Sequence, residues 1–176
     1  QIALRLQDPE RSRVQEFARL SFERIAAADL EDRSAEDDAS LTIDTWKRFQ
    51  RRNVEEIQIQ VANPVHARDG WQSKHTTVWI MTRDMPFVVD SVLMALSHNG
   101  QVTHYLNNVV FGVGRGEDGS ISTLNRDLDS PNRELLLYAE VDRLADGDLQ
   151  ELEARLRETV RDLTAVVSDF GAMKAK

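Results

Sequence analysis

HTTVWIMTRDMPFVVDSVLMALSHNGQVTHYLNNVVFGVGR, residues 75–115, is the stretch whose reading decides the fold. Val78 and Ile80 alternate with Thr77, Trp79 and Met81, the period-two pattern of a central strand covered on both faces. Asp84-Met85-Pro86 then turns the chain. Pro86 stands where proline is tolerated, in the first turn of a helix, and Asp84 is placed to cap that helix by accepting a backbone N–H. Val88, Val89, Val92, Leu93 and Leu96 form the buried stripe, and Asn99-Gly100 is the stop signal. Residues 102–113 read as a second, long strand, with Asn107-Asn108 marking a bulge.

Working outward, the turn Glu117-Asp118-Gly119 reverses the chain, and residues 121–124 pair back briefly. After a polar loop through Ser130-Pro131-Asn132, residues 134–142 form a further strand carrying Leu135, Leu136, Leu137, Tyr138 and Val141. A final helix opens on the capping pattern Asp148 with Glu151. Its stripe is Leu149, Leu152, Leu156, Val160, Leu163, Val167 and Phe170, running on to Met173 as a surplus apolar edge for a subunit or interdomain contact. Upstream, Ile57, Ile59 and Val61 alternate with Gln58 and Gln60, so residues 55–63 read as a half-buried strand that Asn63-Pro64 ends. Two helices precede it. The first covers residues 11–28 with Val14, Phe17, Ala18, Ser21 and Ile25 on one face. The second opens on Ser34 and Asp37, buries Ala39, Ile43, Trp46 and Phe49, and closes on Lys47, Arg48, Arg51 and Arg52 as a solvated basic end.

From Thr76 the order is strand, helix, strand, strand, helix, a split βαβ unit without its last strand. In that topology the fourth strand lies beside the first and antiparallel to it. Residues 55–63, joined to residue 76 by a short loop, fit the vacant place. The expected architecture is therefore α+β: a helical segment at 1–53 and an α+β domain at 54–176.

Composition narrows the function classes. With 41% hydrophobic and 30% charged residues, the chain of 176 has the balance of a soluble domain, and polar residues interrupt every apolar run before it reaches membrane-spanning length. A net charge of −8 argues against nucleic acid as partner. The absence of cysteine excludes disulfides and permits a reducing, cytoplasmic setting. Gln1 opens inside a helix-like run with no signal-peptide pattern, as expected of a piece of something larger. Gly114-Arg115-Gly116-Glu117-Asp118-Gly119 matches G-x-G-x-x-G formally, but a β-like run follows it and two carboxylates would repel phosphate, so it reads as a hairpin turn. His66, His75, His98 and His104 lack zinc-site spacing, although His104 on its strand comes within reach of His75. Asp84 and Asp90 read as capping and solvated carboxylates, and nothing nearby makes a nucleophile with its base, so no catalytic and no metal-binding residue is assigned. The strands carry only Trp79, Tyr105, Phe111 and Tyr138 as aromatics, against an RNA-binding sheet.

Residues 84–91, Asp-Met-Pro-Phe-Val-Val-Asp-Ser, follow a strand and open a helix that ends in Asn99-Gly100. This resembles the signature of ACT domains, small βαββαβ modules that bind amino acids or dimerise at the strand-to-helix turn. Together with Gly70-Trp71-Gln72-Ser73-Lys74-His75-Thr76, with Asn63-Pro64 upstream, and with Ser168-Asp169-Phe170 and the Met173-Lys174-Ala175-Lys176 end, the chain is similar to the N-terminal region of the large bacterial NAD-specific glutamate dehydrogenases. The resemblance implies an ACT/ferredoxin-like antiparallel sheet with helices on one face, plus the N-terminal helical extension. It implies a non-catalytic regulatory or oligomerisation domain without a cofactor of its own, in an enzyme that uses NAD to deaminate L-glutamate oxidatively to 2-oxoglutarate and ammonia. The partners it implies are that enzyme's downstream catalytic domains, further copies of the chain and an amino-acid effector. The effector or interface candidates are Asp84, Met85, Pro86, Phe87, Val88 and Asp90. Effector-binding members carry glycine after the proline, and this chain has Phe87, a ring placed to fill the pocket. That departure keeps a purely structural scaffold as the alternative.

Overall fold

The computed structural model describes residues 6–22 and 34–174, with side chains through residue 169. Its elements are α1 (Glu10–Phe22), α2 (Ala35–Phe49), β1 (Gln58–Ala62), α3 (His66–Asp69), β2 (Thr76–Arg83), α4 (Val88–His98), β3 (Thr103–Arg115), β4 (Ile121–Asn125), β5 (Arg133–Val141) and α5 (Leu149–Lys174). The strands hydrogen-bond in the order β1-β2-β5-β3-β4. β1 runs antiparallel to β2, with Ile59 opposite Ile80 and Val61 opposite Val78, so it takes the place expected of the fourth strand. β2 is antiparallel to β5 in turn, with Val78 opposite Ala139 and Ile80 opposite Leu137.

The chain divides into two compact units, one of residues 54–63, 74–110 and 134–176, the other of residues 1–53, 64–73 and 111–133. Two segments that the sequence reading places in the second domain, 64–73 and 111–133, thus group with the N-terminal helices. Contact rather than chain order draws that division.

In the first unit one face of the sheet carries Ile59, Val61, Val78, Ile80, Leu135, Leu137, Ala139 and Val141, and both helices pack on it. α4 contributes Val88, Val92 and Leu96, and α5 contributes Leu152, Leu156 and Val160. Helix periodicity and strand alternation converge on one α+β core, each fully buried side chain being worth about 1.5–3 kcal/mol. The other face of the central strands is buried as well: Trp79 meets Tyr138 with ring centroids 5.4 Å apart and planes tilted by 55°, and the Tyr138 hydroxyl donates to Glu140 Oε1 at 2.5 Å. The α5 stripe is buried at Leu152, Leu156 and Val160 and half-buried at Leu149, Leu163 and Val167, while the side chains of Phe170 and Met173 lie outside the described residues.

In the second unit Phe17 of α1 meets Trp46, Phe49 and Phe111 with ring centroids 5.4, 5.9 and 5.8 Å apart. α1 is followed to Phe22; the part expected beyond it, including Ile25, lies outside the described residues. α2 begins as expected, with Ser34 accepting the Asp37 N–H at 3.0 Å. Its basic end is not simply solvated. Arg51 donates to the Asp118 carbonyl at 3.0 Å, Arg52 is buried, and the Arg52 N–H donates to Gly119 O at 3.2 Å. Gly114–Gly119 is part of the β3–β4 hairpin, and Gly119 takes φ 78° at its turn. The one-turn helix α3 stands where only a polar loop is expected. Strand β3 spans Asn107-Asn108, and a register irregularity against β4 falls at Gly114/Arg115.

Candidate functional site

The six candidates lie on the turn from β2 into α4, and the fold splits them by direction. Met85 and Val88 are inward: Met85 packs against the core and accepts the Thr164 hydroxyl at its sulfur, 3.7 Å away, and Val88 is 3% exposed. Pro86, Phe87 and Asp90 are outward, with Asp84 half-buried. The helix starts at Val88 and not at Pro86. Phe87 holds the N-cap position at φ 67° and ψ 2°, with no side-chain cap bond, and its carbonyl accepts the Ser91 N–H at 2.9 Å. Phe87 is the one non-glycine residue of the described chain with positive φ, a conformation that costs an L-residue roughly 1–2 kcal/mol. The backbone therefore has the left-handed geometry that glycine adopts freely, while the side chain is a phenyl ring. The ring is 70% exposed, so it does not plug a cavity as expected. Asp90, in the first turn of α4, places a carboxylate at the positive end of the helix dipole.

Two arrangements away from this turn were only partly legible in sequence. His75 and His104 stack with centroids 4.1 Å apart and planes 22° from parallel, and His104 Nε2 donates to Asp142 Oδ1 at 2.7 Å. That hydrogen bond, followed by one from the Val102 N–H, holds the Asp142 carboxyl below its usual value. His104 lies on β3, while His75 just precedes β2 and Asp142 just follows β5, so no spacing rule announces them. Among the described residues no group of three or more His, Cys, Asp or Glu is placed to hold a metal ion. The second arrangement is an open groove along α5, lined by Gln150, Glu153, Ala154, Arg157, Glu158 and Arg161.

Of the strand aromatics, Trp79, Tyr138 and Phe111 are buried and Tyr105 is half-buried. Among the described residues no helix is long and apolar enough to cross a membrane.

With this geometry in hand, comparison with known proteins is decisive for kinship. The family model described as glutamate dehydrogenase, ACT1 domain, matches residues 17–156. The chain belongs to that family. It is 35% identical over 176 residues to the NAD-specific glutamate dehydrogenase of Halomonas elongata, an alignment that covers 98% of this chain and 11% of the relative. It is 33% identical over 182 residues to the NAD-specific glutamate dehydrogenase of Pseudomonas aeruginosa, covering 99% of this chain and again 11% of the relative. The ACT1 chain thus spans about a tenth of the length of these relatives. No solved structure matches it.

Proposed function

We propose that this ACT1 domain is a non-catalytic regulatory and assembly module of a large, cytoplasmic NAD-dependent glutamate dehydrogenase. Its working surface is the turn formed by Asp84, Met85, Pro86, Phe87, Val88 and Asp90. The observation that carries the reading is the left-handed backbone at Phe87, directly after the strand and at the head of α4, in a chain of the ACT1 family. A strained residue at a helix N-terminus is a feature that folds retain at ligand clamps and contacts. In this reading the oxidative deamination of L-glutamate, and the NAD it needs, belong to residues outside the chain. The chain's own partners are those catalytic domains, other copies of itself and an amino-acid effector, whose carboxylate suits the N–H groups at the start of α4.

The direct test is calorimetry of the 176-residue chain against a panel of amino acids, with light scattering alongside. Saturable heat that Asp90→Lys alters supports the effector role. Silence across the panel together with self-association replaces it by a purely structural scaffold, which the exposed Phe87 ring would serve as a contact. In the parent enzyme, deletion of these residues is expected to change assembly, kinetics or amino-acid response. No change in any of the three rules out both roles.

A further inference from the structure

β1 is a terminal strand of the sheet. Residues 57–63, Ile-Gln-Ile-Gln-Val-Ala-Asn, contain neither charge nor proline, and such a composition makes an open edge a template for another strand. In an antiparallel strand, alternate residues turn their backbone groups to opposite edges. Ile57, Ile59 and Val61 turn theirs away from β2, and α5 of the same compact unit meets them there. Arg157 donates from Nη1 to the Ile57 carbonyl at 2.8 Å and from Nη2 to the Ile59 carbonyl at 3.2 Å. The Val61 N–H donates to Glu153 Oε2 at 3.3 Å. Arg157 Nη2 also donates to Glu153 Oε1 at 3.1 Å, so two side chains one helical turn apart form a continuous polar strip along the edge.

These are the groups that a second copy of β1 would use. Laid antiparallel with Ile59 opposite Ile59 and Ile57 opposite Val61, it would bond the same Ile57 and Ile59 carbonyls and the same Val61 N–H. The strand is thus complementary to itself in the register that α5 now occupies.

We propose that Glu153 and Arg157 close the β1 edge against a second copy of this chain, two side chains standing in for a further strand. Assembly by sheet extension at β1 is blocked while they are in place, and whatever assembly the domain supports uses another surface. The pair is half exposed, with side chains 32% and 46% accessible, so its action is geometric rather than a strong ion-pair contribution. The inference is independent of the amino-acid reading, since it concerns an edge and not the β2–α4 turn.

The test is the double variant E153A/R157A, followed by light scattering. Its molar mass is expected to double relative to the unsubstituted chain. Adding V61P, which removes the outward N–H without touching a bond to β2, is expected to restore the original mass. A double variant that keeps the unsubstituted mass, or a self-association that V61P leaves intact, overturns the proposal. Hydrogen exchange of the Val61 amide in the unsubstituted chain carries the test even if a variant fails to fold. Exchange there is expected to be at least about fivefold slower than for an unbonded edge amide, the equivalent of one net hydrogen bond. Exchange at the unbonded rate sinks the closure.

Discussion

At Phe87 a glycine-like backbone carries an aromatic side chain, and two forces oppose each other there. Left-handed φ costs the ring residue about 1–2 kcal/mol, while glycine would cost about 0.5–1 kcal/mol more in unfolded-chain entropy. With the ring 70% exposed, little packing is lost on its removal. F87G is therefore expected to be neutral to stabilising, by up to about 1 kcal/mol in urea unfolding, and F87V to lose about 1–2 kcal/mol because a branched side chain tolerates positive φ worst. At the other end of the same unit, His104 and then the Val102 N–H keep Asp142 ionised below the usual carboxylate range. Its folded value lies under its unfolded one, so the stabilisation is complete above that range and disappears as pH falls through the lowered value. The stability gap between the unsubstituted chain and D142N is expected to be full above the carboxylate range and to close on acidification. A gap that persists in strong acid would contradict this assignment. Sequence showed neither feature in full. Phe87 lacks the glycine or asparagine that advertises a left-handed residue, and His104 meets Asp142 only through strand pairing.

Elements governed by local bonds were the most legible. Ser34 reaches only three residues along the chain, and the cap it makes is the one its spacing implies. Asp84 had the same credentials three residues ahead of Phe87, yet the chain spends Pro86 and Phe87 on a turn and begins α4 at Val88. The β3–β4 hairpin also disposes of the nucleotide-like glycine pattern, because β4 and not a helix follows it. Gly119 is held there for two reasons: φ is 78°, and an added Cβ would lie 2.5 Å from the Arg52 carbonyl oxygen. G119A is expected to destabilise the chain by more than about 1 kcal/mol in chemical unfolding, since strain and overlap act together. An unchanged midpoint would mean that the Gln50–Arg52 segment moves away freely.

On the scale of the molecule, α5 ties the first unit together. Leu156 is fully buried among the side chains of β1, β2, β5 and α4, and L156A is expected to cost about 2–5 kcal/mol, read from the urea midpoint at constant slope. A loss under about 1 kcal/mol would show that this helix is not part of the core. The sequence by itself determined the α+β class, the strand order after Thr76, the vacant strand place and its occupant, and the ACT kinship. Those properties follow from period, from turn chemistry and from short motifs, all written within a few residues of one another. Only the tertiary structure decided where Phe87 sends its ring, that His75 stacks on His104 beside Asp142, that 64–73 and 111–133 cluster with the N-terminal helices, and that Glu153 and Arg157 cover the β1 edge. The physical reason is common to all four. Each joins groups that are distant in sequence or depends on a backbone angle that the residue type disfavours, and neither leaves a periodic trace in the chain.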